Sequence, residues 1–111
     1  MKQAIIIPVE GETKVVDLDA PEGSLKVLQN AVGGWVQALD LTERLTMWCD
    51  EEGKVTGKPV NILATRMFWN AFGVNDDIIV GDIILTGGTD DEGATLGLTD
   101  EQVKVYEFLA N

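Results

Sequence analysis

The chain alternates between apolar patterns of two periods. Gln3 to Val9 is a run of isoleucines and other β-branched residues, which predicts a first strand whose end Pro8 places near a sheet edge. Thr13 to Asp19 alternates, placing Val16 and Leu18 on one face. This predicts a half-buried strand, paired to the first as a hairpin across Glu10-Gly-Glu12. The period then lengthens: Leu25, Leu28, Ala31 and Val32 recur at helical spacing, with Ser24 as the expected N-cap and Gly33 or Gly34 as the left-handed stop. Trp35 to Leu41 and Leu45 to Asp50 are the next two strands, joined by a turn at Thr42-Glu-Arg44. In the second, Leu45, Met47 and Cys49 face one way and Thr46 and Trp48 the other.

Glu51-Glu-Gly-Lys54 is a turn, and Val55 is expected to open a short returning strand. A second helix begins after Pro59-Val-Asn61, with Asn61 as N-cap. Its wide stripe comprises Leu63, Ala64, Met67, Phe68, Ala71 and Phe72, and Gly73 ends it. Ile78 to Leu85 is the most apolar strand and is expected at the sheet centre. Gly81 inside it marks a bulge or a close backbone approach. Thr89 to Gly97 is an acidic loop. Thr99 and Gln102 then form a capping box, with Leu98 stapled onto Val103 and an apolar side of Val103, Tyr106 and Leu109.

These elements predict one α+β domain over residues 1–111. Its expected core is a mostly antiparallel twisted sheet of five to six strands, with two main helices on one face and the C-terminal helix at an edge. At 45% apolar residues the chain can build one core, for which Trp35, Trp48 and Trp69 are the largest candidates.

Charge changes the picture. Nineteen acids face eight bases, a formal net charge of −11. There is no basic patch to neutralise phosphates, so direct nucleic-acid binding is not expected, and an anionic membrane would repel the chain. No run approaches the length of a membrane span. From Asp76 onward Lys104 is the sole base, which makes this end a strongly negative surface. Such acidity fits plain solubility, a basic partner, or imitation of a phosphate backbone.

Candidate chemistry is sparse. With no histidine and only Cys49, the usual triads and zinc sites are excluded, and an internal disulfide is impossible. A single cysteine points to a reducing compartment. Asp90-Asp-Glu-Gly93 lacks the alternating spacing and closing glutamate of a calcium loop, so no metal is expected. No phosphate-binding glycine signature is present, and neither a cofactor nor an enzymatic activity is expected. Two sets of residues remain as binding candidates. Trp69, Asp90, Asp91 and Glu92 are candidates for a partner surface. Gly33, Gly34, Asn61, Thr65 and Arg66 are candidates for a small ligand held at a glycine corner and a helix N-terminus.

Three segments carry a resemblance. Val32-Gly-Gly-Trp-Val36, Asp50-Glu-Glu-Gly-Lys54 with Pro59-Val-Asn61 and Ala64-Thr65, and Ile79-Val-Gly-Asp-Ile-Ile84 together resemble the small domain-of-unknown-function family 3846. Trp35 stands where the family usually has tyrosine, and Cys49 and Asp50 replace the usual residues before the Glu-Glu-Gly. That family is met among accessory genes of actinobacterial phages and mobile elements and has no established reaction. The resemblance implies a non-structural protein acting in the host cytoplasm. The expectation is an interaction module that binds and modulates a host protein, basic or DNA-binding, in host takeover or counter-defence. A nucleotide-type ligand binder and a DNA-mimicking anti-restriction protein are the alternatives. Exposed sheet edges would also allow a homodimer.

Overall fold

The computed structural model describes residues 1–111. In chain order the elements are β1 (Gln3–Ile7), β2 (Lys14–Asp17), α1 (Ser24–Val32), β3 (Val36–Thr42), β4 (Leu45–Asp50), α2 (Ile62–Phe72), β5 (Ile83–Thr86) and α3 (Asp100–Ala110). The strands form one sheet in the order β2-β1-β5-β4-β3, every neighbouring pair antiparallel. The α+β class, the strand number and the C-terminal helix are those expected, and the apolar segment after Ile78 does supply the central strand.

The helices are distributed differently from expectation. Val27, Leu28 and Val32 of α1 pack with Ala4, Leu18 and Ile84 on one face. Ala64 of α2 and Val103 of α3 pack with Ile5, Ile7, Met47, Ile83 and Leu85 on the other. The reason lies in the interior strands. Ile5-Ile-Ile7 and Ile83-Ile-Leu85 are apolar at successive residues, so side chains point apolar to both faces and each face needs a cover. Since α1 links β2 at one edge to β3 at the other, it crosses a whole face and forms that second cover.

Local differences have similarly plain causes. Gly23, with φ 91°, is the N-cap of α1, and Ser24 is already the first helical residue without a side-chain cap bond. Leu25 consequently faces outward, leaving Val27, Leu28 and Val32 as the buried stripe. No returning strand forms at Val55, which is 88% exposed in a series of turns, because β4 already has β3 and β5 on its two sides. The central strand is shorter than the apolar run: Gly81 takes φ 78° and its N–H bonds to the Pro59 carbonyl, so only Val80 makes an isolated bridge, to Val60. Trp35 is 66% exposed, and Phe72 and Leu109 also lie outward. Asn61, Gly73 and the Thr99–Gln102 box cap their helices as expected, and Leu98 and Val103 are buried together.

Candidate functional site

The segments that carry the family resemblance meet at one corner. Gly33, with φ 75°, ends α1 in the left-handed conformation and leaves the Val32 carbonyl unpaired within the helix. The Lys58 ammonium donates to that carbonyl at 2.7 Å and forms an ion pair with Asp50 at 2.6 Å. The Asp50 side chain, 7% exposed, also accepts the Glu52 N–H at 2.9 Å. The hydrogen bond from Lys58 holds the Asp50 carboxyl below the usual carboxylate range, against the opposing effect of burial. The glycines here are spacers. A Cβ at Gly34 would lie 2.9 Å from the Asp50 carboxylate, and one at Gly81 would lie 2.9 Å from Cδ of Lys58.

One turn further on, Asn61 is fully engaged. Its amide nitrogen donates to the carbonyls of Ile7 and Gly81, both at 3.0 Å, and its oxygen accepts the Ala64 N–H at 3.1 Å. Thr65 donates to the Ile79 carbonyl at 3.2 Å and accepts the Ile79 N–H at 2.9 Å. No buried side-chain polar atom in the molecule lacks a partner. The structure therefore gives Asn61 and Thr65 a job in tying α2 to β1 and to the Ile79–Gly81 segment. It also separates them from the glycine corner. Gly33 and Gly34 line a shallow depression with Trp35, whereas Asn61 and exposed Arg66 line a cleft of ≈ 640 Å³ with Pro8, Glu10 and Ile62.

The partner-surface candidates are also apart from one another. Trp69 is half-buried and its indole N–H donates to the Asp77 carbonyl. Asp77 in turn pairs with Lys54, whose hydrogen bond lowers the Asp77 carboxyl. Asp90 accepts the N–H groups of Glu92 and Ala94, each at 2.9 Å, and so shapes the tip of a small hairpin closed by the Thr89–Thr95 bridge. Asp91 and Glu92 are exposed on that tip. Nowhere do three acidic, cysteine or histidine side chains converge to hold a metal ion. Cys49 is buried, and burial pushes its thiol pKa up, away from the reactive thiolate.

Sequence reasoning missed a different feature, the outer edge of β3. The sheet ends there, and β3 is paired only with β4. The Glu51 N–H bonds the Trp35 carbonyl at 2.8 Å, which sets the phase of the ladder. In the register Val36–Asp50, Ala38–Trp48 and Asp40–Thr46, those three β3 residues are therefore the ones whose N–H and C=O groups point away from β4. Beside this edge, on the α2 side of the sheet, lies a cavity of ≈ 330 Å³. Gln37 and Leu39 border it, Phe68 and Ile79 give it an apolar wall, and its charged lining is Asp50, Glu51 and Asp77 with one cation, Lys54, which is paired with Asp77. The opposite edge, β2, has only four residues and carries Lys14 and Asp17. Its length and charges are the ordinary means of blunting an edge, whereas β3 keeps a regular register from Val36 to Asp40, with Asp40 its one charge, before a register shift between Asp40 and Thr42. The sequence signal for the β3 edge is that low charge, but only the strand order shows that the strand is outermost.

The family described as "Domain of unknown function (DUF3846)" matches residues 1–110, and the chain belongs to it. Neither a curated protein nor a solved structure matches the chain.

Proposed function

We propose that this member of the DUF3846 family is a non-structural accessory protein of phage origin that acts in the host cytoplasm as an interaction module, binding and modulating a host protein. One observation carries the reading: β3 is a seven-residue edge strand whose outward backbone groups have no partner, in a molecule whose buried side-chain polar atoms all have one. An open edge supplies main-chain hydrogen bonds to an added strand, a recognised mode of partner binding. A nucleotide-type ligand at Asn61 has less support, because all three hydrogen bonds of its amide are made within the protein.

The test is affinity capture of tagged protein from nuclease-treated host lysate, with an Ala38→Pro variant alongside. Proline removes an N–H that points away from β4, so it blocks the edge while sparing the β3–β4 ladder. A defined host protein recovered by the wild type and lost with the variant is the expected result. No specific protein, or one retained equally by the variant, contradicts the reading.

A further inference from the structure

The cavity beside β3 says more about what docks there. A strand added to β3 places every second side chain on the α2 side, directly opposite Gln37 or Leu39 and over the ≈ 330 Å³ cavity. The carboxylates there are not equivalent. Asp50 is paired with Lys58 and Asp77 with Lys54, whereas Glu51 is exposed and forms no ion pair. The apolar wall of Leu39, Phe68 and Ile79 suits the methylene stem of a long side chain, and Glu51 suits its charged end. The net charge of −11 favours the approach of a cationic segment and disfavours an anionic one.

Resting on the interaction reading above, we propose that the β3 edge takes an extended, basic peptide segment of its partner, paired through Val36, Ala38 and Asp40, with one lysine or arginine side chain lodged in the cavity against Glu51. Main-chain pairing supplies sequence-independent affinity, and the cavity selects the cationic position. A second copy of this chain is a poor occupant by comparison, since β3 carries no basic residue to offer the cavity.

The probe is a fluorescein-labelled nine-residue peptide alternating valine and lysine, titrated into the intact protein by anisotropy. Its companions are the same peptide with glutamate for lysine and one N-methylated along its pairing edge. The lysine peptide is expected to bind. Glu51→Lys should weaken it about tenfold, from the lost attraction and added repulsion at one site. N-methylation and Ala38→Pro should each abolish binding, and the N-methylated peptide tests the edge without altering the protein. A triple Asp90→Asn, Asp91→Asn, Glu92→Gln variant should bind as the wild type does. If that triple variant loses as much affinity as Glu51→Lys, the peptide is reading overall charge and the proposal falls. If the glutamate peptide binds equally and both edge blocks abolish it, the basic-partner inference fails while the edge reading stands. If neither edge block matters, both fail. If no peptide binds, the basic-peptide proposal is overturned, and the edge reading then depends on the captured host protein and its response to Ala38→Pro.

Discussion

The corner at the end of α1 and the edge of β3 begin within four residues of each other, yet their polar groups are treated in opposite ways. At the corner, the helix end and a buried carboxylate have a partner inside the chain, Lys58 on Val32 and Asp50, and at the neighbouring start of α2 a buried amide has three, Asn61 on Ile7, Gly81 and Ala64. On β3, three residues offer N–H and C=O groups outward with nothing against them. The residues that look most like a binding motif in the sequence are thus the ones that hold the fold together. The stretch that looks like an ordinary strand is the one with unused bonding capacity. Glycines, an N-cap and an ion pair mark a functional site only when some of their bonding groups remain free.

This contrast can be broken most severely at Asn61. Asn61→Ala strands two buried carbonyls and removes the α2 cap, so unfolding free energy should fall by about 4 kcal/mol in urea denaturation. A loss of under about 1 kcal/mol would mean that the amide is not structural. Lys58→Met should cost less, about 2 kcal/mol, because the lysine is partly exposed while the carboxylate it leaves behind is not. The same pair gives a pH signature. Lys58 lowers the folded-state pKa of Asp50, so its contribution is fully present above the unfolded carboxyl value of 3.8 and is lost as pH falls through the lower folded value. Melting curves should therefore show the wild type and Lys58→Met converging below that point and separated above it. The smallest effect is expected on the edge: Ala38→Lys should change stability by no more than about 0.5 kcal/mol, since the site faces solvent with no bonds to lose.

What the sequence made legible was local. The Thr99–Gln102 box, the Asn61 cap and the left-handed glycines at Gly33 and Gly73 depend on residues within one turn, and each is found where its spacing places it. The hairpins and the central strand followed from β-branched runs bounded by turns. The distribution of helices over two faces was also written in the chain, in the successive apolar residues of Ile5-Ile-Ile7 and Ile83-Ile-Leu85. A stripe-based reading of the helices alone passed over it. Lys58 was invisible for another reason. Its partners Val32 and Asp50 come from different elements, and no local pattern signals a lysine reaching over a glycine to a helix end. Trp35 shows the converse: a large aromatic residue predicts burial, but the Gly33-Gly34 corner turns it out at the start of an edge strand. Which strand is outermost is a property of the pairing order, which the succession of elements does not determine.

The most direct measurement is residue-resolved amide hydrogen exchange along β3 in the free protein. The expected result is an alternation: Gln37 and Leu39 protected by their bonds to β4, and Val36, Ala38 and Asp40 exchanging at rates close to those of an open chain. Uniform protection across Val36 to Asp40 would mean that something already covers this edge in solution, and would contradict the account of β3 as an open docking strand.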